Sequence, residues 1–257
     1  MPMIETERGP IWVADQRRDE SPRPPLLLIH GAGGSRLDWP GELRRLPGIG
    51  VIAVDLPAHG RSPGAARGSV AEYAEDLRAL LDALKIESAV IAGHSLGGAI
   101  ALQLALEHPE RAAGLILIGS GARLGVHPDI LGGIERDQAN VAKLLVKWFW
   151  GPGVGDDVRQ TNYEQLTQIA PDVLLSDFEV ANNFDIRDRL NEIKVPTLIL
   201  VGSEDQMTPP RSSQYLEQHI EGARLVQFEG AGDKLPLEQP AAVAEAVAEW
   251  LDSLAGC

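Results

Sequence analysis

The chain has 257 residues, 44% of them hydrophobic and 23% charged, and its formal net charge is −14. This length and composition indicate one large globular domain with a substantial core. The strong negative charge disfavours nucleic acid and anionic membranes as partners. The single cysteine, Cys257, permits no intrachain disulfide and favours a reducing compartment. Because the sequence shows neither a signal peptide nor a membrane-length apolar run, we expect a cytoplasmic protein.

Short apolar runs alternate with amphipathic helical patterns along most of the chain. The runs are rich in Val, Ile and Leu, as in strands that are buried on both faces of a parallel sheet. The segment 15–25 is polar and rich in proline, which indicates a turn. We predict strands at 11–14, 26–29, 51–54, 88–92, 114–118, 197–201 and 224–228, and helices at 35–46, 69–84, 98–107, 210–219 and 239–254. This order predicts an α/β fold with a mostly parallel sheet, helices on both faces and ligands at the carboxyl ends of the strands.

The alternation stops between residues 120 and 193. This segment is helical in pattern and contains the aromatic cluster Trp148, Phe149 and Trp150, followed by Gly-Pro-Gly. We interpret it as a helical cap inserted over the strand ends, so that residues 1–119 and 194–257 form the core and residues 120–193 form the cap. The aromatic cluster either lines a pocket or packs the cap on the sheet, and packing is the commoner role of such side chains.

A glycine-rich turn follows the apolar run at 88–92 and precedes a helical pattern. It reads Gly93-His94-Ser95-Leu96-Gly97-Gly98. Such a turn brings strand and helix backbones close together, which favours glycine at positions 93 and 97, and it holds the serine hydroxyl at the amino terminus of the helix. The sequence therefore predicts that Ser95 is a nucleophile. The alternative is a structural glycine turn with an incidental serine.

Three other loops follow predicted strands and should meet this turn at one edge of the sheet. They span residues 30–34, 203–206 and 230–234. These loops, the segment DLPAHGRS at 55–62 and the segment VGSED at 201–205 make the whole chain resemble the α/β-hydrolase superfamily. The resemblance is to small carboxylesterases, lactonases and carbon–carbon bond hydrolases that carry a helical cap.

The resemblance implies a catalytic serine and a catalytic acid, in the chain order that the superfamily uses. Ser95 would be the nucleophile and Asp205 the acid of the triad. The backbone amides of Leu96 and Ala32 would form the oxyanion hole, with Gly33 as the alternative to Ala32. The resemblance implies no cofactor, and we predict no metal site because the sequence lacks a ligand cluster with suitable spacing.

The last loop departs from the superfamily, in which it supplies the catalytic histidine. The chain reads Gly-Ala-Gly-Asp-Lys-Leu-Pro at 230–236, so Asp233 occupies the histidine position. Asp233 would face Asp205, and the repulsion between two close carboxylates should raise one pKa. Because a carboxylate is a poor substitute for imidazole in proton transfer, we expect strongly reduced ester hydrolysis.

The remaining histidines offer little as a replacement base. His30 and His59 belong to structural turn motifs, and His94 should point away from Ser95 because it is its chain neighbour. His108 and His219 lie at the ends of predicted helices. His127, in the predicted cap, is the one conceivable substitute, although the geometry required of a base is strict.

Lys234 is the second unusual residue of the last loop. Esterases similar to this chain commonly carry an apolar residue after the histidine, whereas hydroxynitrile lyases of the superfamily carry a lysine that stabilises the departing cyanide. Lys234 resembles that lysine. Two other interpretations remain: it faces solvent and pairs with Asp233 or Asp205, or burial lowers its pKa and makes it an amine nucleophile or base.

Three functions remain open. The first is a carboxylesterase-like serine hydrolase for small esters or lactones whose base has been replaced. The second is a lyase for cyanohydrins or other carbon–carbon bonds that uses Lys234 or Asp233. The third is a protein that binds a ligand without turnover. The neighbouring Asp233 and Lys234 indicate either an engineered active-site variant or natural divergence, and the sequence leaves the oligomeric state open.

Overall fold

A computed structural model describes residues 2–17 and 23–255, and eight strands of this part of the chain form one sheet. The strands are β1 Met3–Thr6, β2 Gly9–Asp15, β3 Leu26–Ile29, β4 Val51–Asp55, β5 Ala89–His94, β6 Ala112–Ile118, β7 Thr197–Gly202 and β8 Arg224–Phe228. Their order in the sheet is β1-β2-β4-β3-β5-β6-β7-β8. The β1–β2 and β2–β4 pairs are antiparallel, and all the other pairs are parallel. The predicted mostly parallel sheet is confirmed.

Helices connect the parallel strands. They are α1 Gly41–Arg44, α2 Val70–Ala83, α3 Leu96–Glu107, α4 Pro128–Leu131, α5 Ile134–Phe149, α6 Asp156–Gln168, α7 Pro171–Asn183, α8 Pro210–His219, α9 Leu235–Glu238 and α10 Pro240–Ala255. Short 3₁₀ helices lie at Arg36–Asp38, Pro109–Arg111 and Arg187–Glu192. Among the described residues, no helix has the length and the apolar character that a membrane span requires.

The core lies on both faces of the sheet because successive strand residues point to opposite sides. In β3, Leu27 and Ile29 pack into a cluster that includes residues of α2 and α3. Leu26 and Leu28 pack into a second cluster that includes residues of α1 and α10. A continuous apolar run therefore serves both layers, as a buried parallel strand requires.

The segment from α4 to α7 has an apolar cluster of its own, which includes Leu145, Phe149, Leu166 and Phe178. Ala32, from the loop after β3, packs against this cluster. The segment thus lies against the loops at the carboxyl ends of the strands, where ligands bind in open α/β sheets.

Several predicted elements match the structure closely, and one does not. The strands at 26–29 and 224–228 and the helix at 210–219 have the predicted bounds. The predicted helix at 35–46 is wrong, because Pro40 separates the 3₁₀ helix Arg36–Asp38 from α1. Ser35 nevertheless caps the first of these pieces, since its side chain accepts a hydrogen bond from the Leu37 amide. Cys257 and residues 18–22 of the predicted turn lie outside the described residues.

Candidate active site

Ser95 occupies a strained turn between β5 and α3. Its backbone angles are φ 52° and ψ −116°, in a region that non-glycine residues rarely adopt. The Ser95 amide donates to the Ile118 carbonyl at 3.0 Å, which ties the turn to β6. No hydrogen bond of the Ser95 hydroxyl is present within residues 2–17 and 23–255. The predicted sharp turn is confirmed, and its serine is half-buried with a free hydroxyl.

Two glycines make this turn possible, as the sequence predicts. A Cβ atom at Gly93 would lie 2.1 Å from the Gly97 carbonyl oxygen, and one at Gly97 would lie 2.2 Å from the Ile29 carbonyl oxygen. In both cases the added Cβ atom would overlap a backbone atom, and moving the backbone aside would cost much free energy. The close approach of β3, β5 and α3 therefore excludes any side chain at either position.

The loop after β3 lies directly beside Ser95. A Cβ atom at Gly31 would be 3.2 Å from the Ser95 Cβ atom. The Gly33 amide donates to Asp177 Oδ2 at 2.7 Å, so it is already engaged. This contact favours Ala32 over Gly33 as the candidate oxyanion donor. Leu96 begins α3, and the first amides of a helix have no acceptor within that helix.

Asp177, on α7, holds this region together and was missed by the sequence reasoning. Its buried carboxylate accepts from the Gly33 amide, from His59 Nε2 at 2.7 Å and from the Tyr73 hydroxyl at 3.1 Å. Burial opposes the charge on His59, but the hydrogen bond and charge of Asp177 raise the pKa of that imidazole above its usual value. The sequence signal for Asp177 was its position between Leu174 and Phe178 on the buried face of α7, because a buried carboxylate needs hydrogen-bond partners.

Asp205 lies after β7 and is buried. Its Oδ1 atom accepts from the Met207 and Thr208 amides at 2.9 and 2.8 Å, and its Oδ2 atom accepts from the Thr208 hydroxyl at 2.8 Å. Burial, followed by the charge of Asp233, raises the pKa of Asp205 to about 7. The predicted pKa increase from two neighbouring carboxylates is confirmed, although burial contributes more.

Asp233 lies in the loop before α9 and is 2% exposed. His94 Nε2 donates to its backbone oxygen at 2.8 Å and lies 3.4 Å from its Oδ2 atom. Asp233 Oδ1 is buried and has no hydrogen-bond partner in the described part of the chain. An orphaned carboxylate oxygen is costly, so the side chain is poorly matched to its surroundings.

Lys234 is neither solvent-facing nor paired as predicted. Its side chain is 8% exposed, its Nζ atom lies 3.2 Å from Asp38 Oδ2, and it stands 4.9 Å from the centre of the Phe149 ring. Burial opposes its charge, but Asp38 and then Asp233 raise its pKa above the usual value. Both sequence interpretations, a solvent-facing lysine paired with Asp233 or Asp205 and a lysine with a lowered pKa, are therefore wrong.

Two cavities adjoin these residues, and Ala32 lines both. The first, here the Ser95 cavity, has a volume of about 900 Å³ and is also lined by Asp205, Trp148, His127, Arg123 and Arg211. The second, here the Lys234 cavity, has a volume of about 590 Å³ and is also lined by Asp38, Phe149, Trp150, Leu37, Val158 and Leu237. The structure thus brings Ser95, Asp205 and Ala32 to one cavity and places Lys234 in the other, while Asp233 lines neither.

The three aromatic side chains at 148–150 have different roles: some pack in an apolar cluster, and all line a cavity. Phe149 and Trp150 are buried members of the α4–α7 apolar cluster, and each also lines the Lys234 cavity. Trp148 is only partly buried, lines the Ser95 cavity and meets His127 edge to face at 5.5 Å. The interpretation as packing therefore holds for two rings, while Trp148 contributes more to a cavity wall.

None of the histidines donates to or accepts from the Ser95 hydroxyl. His30 accepts from the Leu56 amide, and burial followed by His59 lowers its pKa to about 4. His59 is held by Asp177. The side chain of His94 is directed to the Asp233 backbone, as expected of a residue that points away from Ser95. His127 lines the Ser95 cavity, but its Nδ1 atom accepts from the Asp129 amide at 3.2 Å.

Among residues 2–17 and 23–255, no group of three or more His, Cys, Asp or Glu side chains is placed to hold a metal ion. The chemistry available in the Ser95 cavity is thus a hydroxyl on a strained turn, two amides beside it and the Asp205 carboxylate, with Asp233 outside the cavity lining.

Residues 26–246 match the family model described as the alpha/beta hydrolase family. The chain belongs to this family. It is 33% identical over 221 residues to the pimeloyl-[acyl-carrier protein] methyl ester esterase of Neisseria meningitidis serogroup C, which covers 80% of this chain and 85% of that protein. It is 33% identical over 252 residues to the 2-hydroxymuconate semialdehyde hydrolase of Pseudomonas putida, with 88% and 86% covered.

Solved structures of the family share the fold. A thermophilic esterase superimposes with a TM-score of 0.81 at 30% identity and covers 95% of this chain and 98% of that one. The eight-stranded sheet with its flanking helices is therefore an α/β-hydrolase fold, and the chain is assigned to the enzymes of this family.

Proposed function

We propose that this alpha/beta hydrolase is a carboxylesterase-type enzyme for small esters or lactones, with Ser95 as its nucleophile. The observation that carries the proposal is the strained Ser95 turn, which lines the same cavity as Asp205 and Ala32. The names of its relatives, an acyl-carrier-protein methyl ester esterase and a semialdehyde hydrolase, support hydrolysis at a carbonyl. In this proposal, residues 120–193 are the cap that covers the cavity.

The reaction would begin when Ser95 Oγ attacks the ester carbonyl carbon. The negative charge that develops on the carbonyl oxygen would be stabilised by the Ala32 and Leu96 amides. The hydroxyl proton would pass to the carboxylate pair of Asp205 and Asp233 and return to the leaving alcohol. Water would then release the acid from the acyl-serine by the reverse sequence of proton transfers.

Proton transfer is the weak step of this mechanism. A triad histidine bridges the acid and the serine, whereas the Asp233 side chain is shorter and lines neither cavity. The Ser95 hydroxyl and the Asp233 Oδ1 atom both lack a hydrogen-bond partner for the same reason: no side chain in the described part of the chain bridges them. Ester hydrolysis is therefore slow in this chain.

The experiment is the substitution Asp233→His. The loop that carries position 233 is held by its backbone, so an imidazole can replace the carboxylate without moving the loop. The kcat for p-nitrophenyl acetate should rise by about 10²- to 10⁴-fold, the usual contribution of a positioned general base.

The matched control is Ser95→Ala in the Asp233→His background, which should remove the gain. An unchanged rate in a folded Asp233→His variant, or a gain that survives Ser95→Ala, overturns the proposed mechanism. Turnover by the unsubstituted chain at the rate of an ordinary esterase contradicts the predicted loss.

A function without turnover is the second candidate, and the same two free atoms favour it. It predicts that a small ester stabilises the chain against heat without release of product. The lyase alternative draws no such support, since Lys234 is paired with Asp38 in the other cavity.

A further inference from the structure

The charged residues that line the Ser95 cavity are mainly basic, whereas the chain as a whole is acidic. The chain has 37 acidic and 23 basic residues. The residues that line this cavity nevertheless include two arginines, Arg123 and Arg211, and a single carboxylate, Asp205. Cations gathered in a cavity of an acidic protein attract anionic ligands.

Arg211 has no charged partner to neutralise it. Within the described ranges 2–17 and 23–255, its side chain forms neither an ion pair nor a hydrogen bond, and the residue is exposed. It is the second residue of α8, near the positive end of the helix dipole. A cation there is unfavourable without a ligand, whereas an anion is favourable.

Arg123 shares its partner with a second arginine. Its Nε atom is 4.0 Å from Asp185 Oδ2, at the limit of an ion pair, and its side chain is 59% exposed. Both oxygens of Asp185 already accept from Arg187, at 2.9 and 2.6 Å. Asp185 is thus engaged mainly by Arg187, and Arg123 is only weakly paired.

Asp205 forms no ion pair with either arginine. Its oxygens accept from the Met207 and Thr208 amides and from the Thr208 hydroxyl, and no hydrogen bond joins them to Arg123 or Arg211 within the described residues. The carboxylate is also buried beneath the cavity surface, with 4% of the residue exposed. The two guanidinium groups remain available to a ligand.

We propose that the Ser95 cavity selects substrates with a free carboxylate, namely monoesters of small dicarboxylic acids or lactones that bear a carboxylate, and that Arg123 and Arg211 bind it. The selection rests on the proposed function, because it assumes that the ester group lies at Ser95. The carboxylate occupies the arginine side of the cavity, and the ester lies beside Ala32. Neutral esters of the same length lack this contact and bind more weakly.

Binding tests the selection apart from catalysis. The probes are monomethyl glutarate and its neutral counterpart dimethyl glutarate, titrated by calorimetry into the Ser95→Ala variant, which cannot form an acyl-serine. The monoester should bind at least about tenfold more tightly than the diester, since a charged hydrogen-bond pair contributes about that factor.

Arg211→Gln and Arg123→Gln should each weaken monoester binding by several-fold to about tenfold and leave diester binding unchanged. Arg224→Gln is the matched control: it removes an exposed arginine that lines neither cavity and should change neither affinity. Arg211→Lys should recover part of the monoester affinity because the charge is retained. Melting temperatures verify that every variant is folded.

Equal affinity for the two probes, or equal losses in Arg211→Gln and Arg224→Gln, overturns the selection. The hydrolysis test is separate. If Asp233→His hydrolyses both esters without preference, the esterase proposal stands and the selection fails. If the monoester binds through the arginines but no Ser95-dependent hydrolysis follows Asp233→His, the selection stands and the esterase proposal fails.

Discussion

The two cavities that share Ala32 differ in how their cations are paired. Among the described residues that line the Ser95 cavity, Arg211 has no ion-pair partner, Arg123 lies at the limit of an ion pair, and Asp205 is the one carboxylate. In the Lys234 cavity the one lysine is paired with Asp38, and a second carboxylate, Asp157, also lies in the wall. Three exposed apolar side chains line the same wall: Leu37, Val158 and Leu237, at 59%, 40% and 36% exposure. A cation without a close partner in a cavity wall is available to an anionic ligand, whereas the Lys234 ammonium group is already engaged by Asp38.

This difference teaches that an unusual residue is not by itself a functional one. Lys234 and Asp233 are neighbours in the chain and equally unexpected in the sequence. The structure gives Lys234 a partner and a ring to pack against, while Asp233 keeps one oxygen without a partner. The contrast makes the carboxylate, rather than the lysine, the residue to change first.

The largest expected effect tests whether the base of the Ser95 cavity is fixed by backbone contacts. Gly97→Ala should destabilise the chain by more than about 4 kcal/mol or prevent folding, because its Cβ would meet the Ile29 and His30 carbonyl oxygens at 2.2 and 2.6 Å. Thermal unfolding followed by circular dichroism measures the loss. Gly125→Ala is the control, since Gly125 lines the same cavity with nothing within 4 Å of its Cβ position. Similar losses in both variants would refute the backbone contact.

The next effect tests whether Lys234 and Asp38 in the Lys234 cavity stabilise each other as an ion pair. Lys234→Met should cost about 2 kcal/mol, less than a fully buried pair, because the Asp38 side chain is 27% exposed. Chemical unfolding gives the free energy. Adding Asp38→Asn should recover most of the loss, since it removes the carboxylate left alone. Additive losses in the double variant would mean that the two residues do not interact.

The last effect tests the raised pKa of Asp205, which burial and the charge of Asp233 cause. The folded pKa of Asp205, about 7, lies above the unfolded value of about 4, so the folded chain binds the proton more tightly. The contribution of this group to the free energy of unfolding is therefore largest below about pH 4 and is lost as the pH rises through 7.

The neutral variant Asp205→Asn avoids this loss. Its melting temperature relative to the unsubstituted chain should increase from pH 4 to pH 7 and then level off, with a gain of several degrees. Calorimetric scans across this range measure the trend. A relative melting temperature that decreases as the pH rises would contradict the raised pKa.

The sequence predicted those parts of the fold that depend on local pattern. The apolar run Leu26–Ile29 and the proline that begins Pro210–His219 define their elements without help from distant residues. The Ser95 turn was predictable for the same reason, because the contact that demands Gly93 is made with Gly97 inside the same strand–turn–helix unit.

The remainder depends on contacts between distant parts of the chain. Asp38 is 196 residues from Lys234, so no pattern near the lysine could reveal its partner. Asp177 is 144 residues from the Gly33 amide that it accepts from. The two arginines of the Ser95 cavity come from different segments, one after β6 and one in α8, and only the fold brings them together.

The loop at position 233 is held almost entirely by its main chain. His94 binds the Asp233 carbonyl, the Lys234 amide donates to the Phe149 carbonyl, and Glu238 accepts from the Gly232 amide. The side chain at 233 supports none of these contacts, so it is free to change while the loop stays in place. Aspartate and histidine codons differ by a single base. Under the proposed mechanism, one point mutation in either direction would separate a slow esterase from an ordinary one on the same scaffold.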